Sequence, residues 1–169
     1  MTSQPTQLLT AEQVRQKIRR IAFQIYENNI DEPALVLAGV TGEGYVLAQL
    51  LEAELRQLVP MPVTLLHISL DKTERAQPPV QLSETAPDVA DKTVIVADDV
   101  LNTGRTLIFA LQPFLTAPVR KLQVAVLVDR NHPRYPVAAD YIGYELSTTL
   151  SEHVDVVLGD KTRMGVYIR

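Results

Sequence analysis

The sequence predicts an α/β protein in which a twisted parallel sheet is flanked by helices. Apolar runs of strand length alternate with amphipathic helical stretches, and that alternation is typical of parallel strands joined by right-handed crossovers. Ligands of such sheets bind beyond the carboxyl ends of the strands. The three loops that leave those ends, residues 39–44, 98–104 and 129–143, are therefore expected to converge on one site.

Periodicity and capping residues define the elements in order. Residues 1–9 are expected to form a loose leader, and Thr10 with Gln13 forms a capping box for a first helix that ends near Asn28. Residues 71–91 are polar, rich in proline and without clear periodicity, so they are predicted to form a flexible lid loop. The other predicted elements are a strand at 34–38, a helix with its apolar positions over 46–58, strands at 63–70 and 93–97, a helix over 103–115, a strand at 122–128, an irregular stretch at 129–149, and short strands at 154–158 and 164–168.

Length and composition indicate one domain and exclude several kinds of protein. The chain has 169 residues, of which 46% are hydrophobic and 21% charged, values typical of a globular domain with a substantial core. Its apolar runs are too short to span a bilayer, and residues 1–6 lack the features of a secretory signal. Because there is no cysteine, disulfides, thiolate catalysis and zinc–thiolate sites are excluded, which fits a reducing, cytoplasmic location. The net charge of −4 does not favour broad attraction to nucleic acid.

The stretch Val94–Thr106 is the most specific feature of the chain. A buried apolar run ends in two adjacent carboxylates, Asp98 and Asp99, and a short polar turn then leads into a helix. Adjacent carboxylates repel each other and lose solvation when buried, and ribose hydroxyls or a divalent cation would offset that cost. The helix N-terminus beside them offers backbone N–H donors to an anion. A ribose 5-phosphate satisfies both halves; the alternative is a solvated acidic turn in which Asp99 or Asn102 caps the helix.

This stretch resembles the signature with which the type I phosphoribosyltransferases bind phosphoribosyl pyrophosphate (PRPP). In order and spacing the resemblance covers nearly the whole chain, and it is strongest to the bifunctional pyrimidine operon regulator/uracil phosphoribosyltransferase group. The other stretches that carry it are Arg19–Ala22, Leu127–His132, Ala139–Gly143 and Ser151–Val154. The resemblance implies a single domain over residues 1–169 with the type I phosphoribosyltransferase fold, in which a small hood subdomain, residues 129–150, covers the base.

The resemblance also implies a role for each candidate residue. Asp98 and Asp99 would hold the ribose hydroxyls as the catalytic pair and, with Asp160, would bind Mg²⁺; the alternative for Asp160 is an aspartate that only shapes its own turn. The 5-phosphate would be bound by Asn102, Thr103, Gly104, Arg105 and Thr106. The pyrophosphate would meet the loop formed by Val40, Thr41, Gly42, Glu43 and Gly44. The base would lie against Arg130, Asp140, Tyr141 and Ile142.

The function implied is Mg²⁺-dependent transfer of the ribose 5-phosphate of PRPP onto a nucleobase, with uracil as the first candidate. The reaction releases pyrophosphate and leaves a nucleoside monophosphate. Positioning, Mg²⁺ and the exclusion of water supply most of this catalysis, so no nucleophilic side chain is needed. The resemblance further implies a homodimer or a higher homo-oligomer and no membrane partner.

Two departures from the family pattern leave a second hypothesis open. Glu43 puts a negative charge in a loop that usually carries a basic residue, unless its charge serves only the positive end of a helix dipole. The lid sequence at 71–75 lacks the tyrosine of the family and leaves Lys72 or Arg75 as candidate phosphate contacts. On this hypothesis the chain is a non-catalytic regulator that binds nucleotide or PRPP.

A third hypothesis is an RNA-binding attenuator of a pyrimidine operon, and it is not favoured. The first helix does have a basic side, formed by Arg15, Lys17, Arg19 and Arg20. However, the chain as a whole is acidic, and a solvated helix face explains the same residues.

Overall fold

A computed structural model describes residues 4–73, 75–76, 79–83 and 87–169. Residues 1–3 of the expected leader and residues 74, 77–78 and 84–86 of the expected lid lie outside this described part. No helix within it is long and apolar enough to cross a membrane. The elements are β1 Thr6–Leu9, α1 Ala11–Asn28, β2 Leu35–Val40, α2 Glu43–Leu58, β3 Val63–Ser69, β4 Gln81–Leu82, β5 Thr93–Leu101, α3 Arg105–Leu115, β6 Lys121–Asp129, β7 Tyr141–Glu145, β8 Val154–Val157 and β9 Gly165–Ile168.

The main sheet has six strands in the order β4-β3-β2-β5-β6-β7. All neighbouring pairs are parallel except β3 with the short β4. The chain leaves β2 towards β3 on one side, and later leaves β5 towards β6 and β7 on the other. The strand order therefore reverses between β2 and β5, and the crevice beyond their carboxyl ends is where open α/β sheets bind ligands.

The hydrophobic core has two parts, one on each face of the main sheet. Every residue of β2 is buried, and alternate positions face opposite sides, with Leu35 and Leu37 in one part and Val36 and Ala38 in the other. The first part includes the apolar faces of α1 and α2, and the second includes that of α3. Continuous apolar strands are the expected result of coverage on both faces.

A second, three-stranded antiparallel sheet has the order β1-β9-β8. The expectation of a loose leader is therefore wrong for residues 6–9, because Thr6–Leu9 pairs with β9 and buries Leu9. The expectation of a hood at 129–150 is also wrong in its boundaries. That segment contains β7, which extends the main sheet parallel to β6, whereas the small separate sheet is built from the two ends of the chain.

Two other elements differ in extent from the prediction. The third long strand, expected at 93–97, continues to Leu101 because β6 pairs with it as far as Asp129. Asp98 and Asp99 consequently lie inside a strand and not in a turn. The expected lid loop contains the two-residue strand β4, which pairs with the end of β3.

The capping box of α1 is confirmed. The Thr10 hydroxyl accepts a hydrogen bond from the Gln13 backbone at 3.3 Å, and the Gln13 side chain accepts one from the Thr10 backbone at 2.9 Å. These contacts satisfy donors that the first turn of a helix cannot use internally.

Thr10→Ala is expected to lower the free energy of unfolding by about 1 kcal/mol, because it removes the acceptor of this cap. Urea denaturation of the variant measures the loss. Thr6→Ala, at an exposed position of β1, is the matched control and should change stability by less than about 0.5 kcal/mol. Equal effects of the two substitutions would contradict the capping role.

Candidate active site

The acidic pair lies at the point where the main sheet reverses its strand order. Asp98 is 0% exposed in β5, and Asp99 beside it is partly exposed. The first turn of α2 packs directly on this pair, since a Cβ on Gly44 would lie 2.7 Å from Asp98 Oδ1. The loop after β2 and the end of β5 therefore meet, and glycine is needed at position 44 for them to do so.

The environment of Asp98 is unfavourable for a lone charge. Burial, together with the negative charge of Asp99, raises the pKa of Asp98 to about 8, although Lys72 acts in the opposite direction. The Oδ1 atom accepts hydrogen bonds from Lys72 Nζ and from the Asp99 backbone, each at 2.9 Å. The Oδ2 atom is buried and has no hydrogen-bond partner among the described residues. Such an arrangement is costly for folding and is typical of a functional site.

Lys72 provides the positive charge nearest to the pair in the described structure. Its ammonium lies 2.9 Å from Asp98 Oδ1 and 3.5 Å from Asp99 Oδ1. Burial alone would lower the pKa of Lys72, but the two carboxylates raise it above its ordinary value. The amine therefore stays protonated at neutral pH and supplies a counter-charge to the acidic pair.

The turn after β5 forms a small pocket next to the acidic pair. Its residues, 100–107, are called the phosphate turn. The pocket is lined by Asp98 and by residues 100–107, so it includes all five predicted phosphate contacts. Gly104 caps α3 with a φ of 89°, a left-handed conformation that glycine adopts without strain. The first amides of α3 have no partner within the helix and carry its positive dipole end. The pocket is suited to a phosphate group.

The buried Arg130 guanidinium supports this turn. Its guanidinium donates to the Asn102 side chain at 2.7 Å, to the Thr148 hydroxyl at 2.9 Å, and to the carbonyls of Glu152 at 2.7 Å and Thr149 at 3.3 Å. The residue is 9% exposed. Arg130 was predicted to contact the base; in the structure its guanidinium holds residues 148–152 against the turn that follows β5.

The loop at 130–135 also reaches the phosphate turn, as the convergence of the three loops requires. The backbone amides of Arg134 and Tyr135 donate to the Thr103 carbonyl at 2.8 and 3.0 Å. The Thr103 hydroxyl in turn accepts a hydrogen bond from the Arg105 amide at 3.3 Å. Neighbouring elements therefore hold the backbone around Thr103 in place through these hydrogen bonds.

The predicted pyrophosphate loop has fewer free donors than its sequence indicates. The Thr41 amide and hydroxyl both donate to the Ile68 carbonyl at 2.9 Å, and the hydroxyl also lies 3.1 Å from His67 Nε2. Val40 is buried in the core. Gly42, with a φ of 89°, and the first amides of α2 are the groups that remain for an anion.

The Glu43 side chain turns away from this loop. Its Oε2 accepts hydrogen bonds from the amides of Leu158 at 2.7 Å and Gly159 at 3.1 Å. The carboxylate therefore joins the start of α2 to the turn after β8, and its charge also suits the first turn of a helix. The sequence concern that Glu43 repels pyrophosphate is answered by this orientation.

Three of the predicted base contacts lie away from the site. The Asp140 carboxylate accepts a hydrogen bond from the Val124 amide at 2.8 Å, and β6 continues from there to Asp129, roughly 16 Å further at the rise of a strand. Tyr141 is 1% exposed and its hydroxyl contacts Gln123. Ile142, next in β7, pairs with Val126 in mid-strand and packs against the core on the α3 face. The residues expected to contact the base therefore lie along a strand, and none of the three is placed at the carboxyl edge of the sheet.

Asp160 does not join the acidic pair. Its carboxylate accepts hydrogen bonds from the Thr162 amide at 3.0 Å and hydroxyl at 2.7 Å, and these bonds lower its pKa. In the described part of the chain no three His, Cys, Asp or Glu residues come together as a metal site. The turn interpretation of Asp160 is the one that the structure supports, and a metal would have to rely on Asp98, Asp99 and oxygens of the substrate.

Sequence reasoning missed the two contacts that shape the site most. Lys72 was a candidate for phosphate and not for the acidic pair, and Glu43 was not linked to the β8 turn. Both contacts join residues far apart in the chain, so local spacing carries no signal for them. The charge excess of Asp98 and Asp99 was the one available hint, since a buried acidic pair calls for a cation.

The chain is similar to proteins of one family over most of its length. A family model described as a phosphoribosyl transferase domain matches residues 4–159. The Bifunctional protein PyrR of Deinococcus deserti is 41% identical over 166 residues, which cover 94% of this chain and 90% of that protein. The protein of the same name from Deinococcus radiodurans is 38% identical over 165 residues, with the same two coverages.

A solved structure supports the architecture independently. The hypoxanthine phosphoribosyltransferase of Trypanosoma cruzi matches with a TM-score of 0.77 and covers 96% of this chain and 95% of its own. Since the two sequences are 20% identical, this likeness shows the fold alone.

The buried carboxyl of Asp98 should make folding stability depend on pH. Because its pKa is raised from 3.8 to about 8, the folded state keeps a proton that the unfolded chain releases above about pH 4. The stability from this group is fully present below the unfolded pKa and is lost as the pH rises through about 8. Urea denaturation should therefore show the Asp98→Asn variant gaining stability relative to the original protein between about pH 4 and pH 8. A difference that does not change with pH would contradict the raised pKa.

Proposed function

The chain belongs to the phosphoribosyltransferase family, in its PyrR group, and we propose that it transfers the ribose 5-phosphate of PRPP onto uracil with release of pyrophosphate. One observation carries the proposal. The acidic pair of β5 lies directly before a small pocket at the start of α3, at the edge where the strand order reverses. The acidic pair matches the diol of a ribose 5-phosphate, and the pocket matches its phosphate. The distance between the pair and the pocket is fixed because their residues follow one another in the chain.

The reaction requires charge stabilisation at two places. The bond from ribose C1 to the pyrophosphate oxygen breaks, a bond from C1 to uracil N1 forms, and the N1 proton is lost. Positive charge develops on the sugar as negative charge develops on the leaving group. Asp99, beside the ribose, would stabilise the positive charge on the sugar. Gly42 and the first amides of α2 would stabilise the negative charge on the departing pyrophosphate.

Mg²⁺ fits the residues that are present. A magnesium ion in such sites is bound through one or two carboxylates, substrate phosphates and waters, and Asp98 and Asp99 supply two carboxylates. The Lys72 ammonium lies 2.9 Å from Asp98 Oδ1 and 3.5 Å from Asp99 Oδ1, which supports the proposal that this pair binds a positive charge. When bound with the substrate, Mg²⁺ would stabilise the charge on the departing pyrophosphate.

The base is proposed to lie between Val100 and the segment held by Arg130. Val100 follows the acidic pair in β5, is partly exposed, and lines the same pocket. The Val100 side chain packs against the part of the core that includes Val154 and Val156 of β8. Arg130 holds the backbone of residues 149 and 152 near Asn102, so this segment is fixed beside the turn that follows β5.

RNA regulation is a second candidate, because the curated relatives are named as bifunctional. The basic side of α1 is its only sequence support. Within the fold, Arg20 donates to the carbonyls of Ile142 at 3.0 Å and Gly143 at 2.5 Å, and Lys17 lies 6.0 Å from the Tyr144 ring. These cations are partly used to attach α1 to β7, so the transferase activity is the function that the geometry supports best.

Purified protein incubated with uracil, PRPP and Mg²⁺ is expected to form UMP and pyrophosphate. Asp99→Asn should lower kcat/KM by about 100-fold, because it removes a charge beside the reacting sugar. Asp155→Asn, a change of the same kind on the surface of β8, is the matched control and should leave the rate unchanged. Conversion of another base in place of uracil would overturn the substrate assignment, and conversion of no base would overturn the activity.

A further inference from the structure

The carboxylates proposed to hold the ribose are already in contact with a side chain of the protein itself. The Asp98 oxygen that makes hydrogen bonds lies 2.9 Å from Lys72 Nζ, and the same ammonium reaches Asp99. Asp98 has no exposed surface. A diol or a cation that binds Asp98 Oδ1 therefore has to replace the Lys72 ammonium.

The position of Lys72 is fixed by its own turn. The Asp71 carboxylate accepts hydrogen bonds from the Thr73 amide at 2.8 Å and from the Thr73 hydroxyl at 2.6 Å. The intervening residue is thereby directed towards the acidic pair. Its side chain is 37% exposed, while that of Asp98 is 1% exposed, so Lys72 is in contact both with the buried carboxyl and with solvent.

A second contact ties the same segment to the phosphate turn. The Arg105 guanidinium donates to the Arg75 carbonyl at 2.8 Å. Arg105 is the first residue of α3 and lines the phosphate pocket. The segment thus contacts both halves of the proposed ligand site, the acidic pair through Lys72 and the phosphate turn through Arg105.

We propose that these two contacts form a latch, defined by Lys72 on the acidic pair and by the Arg75 carbonyl on Arg105, which closes the ribose 5-phosphate site before the ligand arrives. The latch rests on the proposed function, because it matters only if a ribose 5-phosphate binds there. Binding requires Lys72 to leave Asp98 and Asp99, so that hydroxyls or Mg²⁺ can replace it.

The latch has two consequences. In the absence of ligand it supplies the positive charge that a buried acidic pair needs. In the presence of ligand it lowers the apparent affinity, because only the fraction of molecules with an open latch can bind. A latch that is closed in about nine molecules of ten weakens binding about tenfold.

Calorimetric titration with PRPP and Mg²⁺, without a base, tests the latch. Lys72→Met keeps the length of the side chain and removes the charge, and it is expected to tighten PRPP binding about three- to tenfold. Lys72→Arg keeps a cation and should bind PRPP as the original protein does. Lys92→Met, the same change next to the opposite end of β5, is the matched control and should also leave the affinity unchanged.

The direction of the change decides the result. Weaker binding by Lys72→Met would show that Lys72 contacts the ligand, and unchanged binding would show that its ion pair does not limit access; either overturns the latch. If neither the original protein nor any variant binds PRPP, the proposed function fails and the latch fails with it. Binding by the original protein without a gain in Lys72→Met overturns the latch alone.

Discussion

The close approach of Gly44 to the buried carboxylate of Asp98 is the constraint on which the site depends. A side chain at position 44 would overlap Asp98 Oδ1, so the start of α2 can meet β5 only through a glycine. This contact brings the turns after β2 and β5 together where the strand order reverses. It also removes Asp98 from water, which raises its pKa and leaves one of its oxygens without a partner in the described structure. The need for a counter-charge at this point follows from the packing.

The charges around that contact are arranged so that each has a defined partner. Lys72 faces the acidic pair, Glu43 binds the amides of the β8 turn, and Arg130 connects the phosphate turn to residues 148–152. Buried or half-buried ions of this kind contribute little net stability, since desolvation offsets their attraction. Their role is to position the backbone segments that they join. Glu43 joins the start of α2 to the turn after β8, and Arg130 joins the turn after β5 to residues 148–152, whereas Lys72 has to leave the acidic pair before a ligand can bind there.

Much of the fold could be predicted because its signals are local. The capping box at Thr10, the apolar stripe of α1 and the run that ends in Asp98 each depend on neighbouring residues, and the structure contains all three. The family and the parallel α/β fold could be predicted for the same reason, because the stretch that resembles the PRPP signature occupies consecutive positions. Both predictions are confirmed. The errors arose where long-range pairing decides the structure. Residues 6–9 form a strand only because β9 lies beside them, and Tyr141 enters the core only because β6 offers an edge.

The central claim is that a ribose 5-phosphate binds across the acidic pair and the turn at 100–107. A crystal structure of the protein with UMP tests it most directly. The account predicts that the phosphate is bound by the amides at the start of α3, that the ribose hydroxyls contact Asp98 or Asp99, and that Lys72 has moved off the pair. A phosphate bound elsewhere, or a ribose that leaves the Lys72–Asp98 contact at 2.9 Å intact, would contradict it.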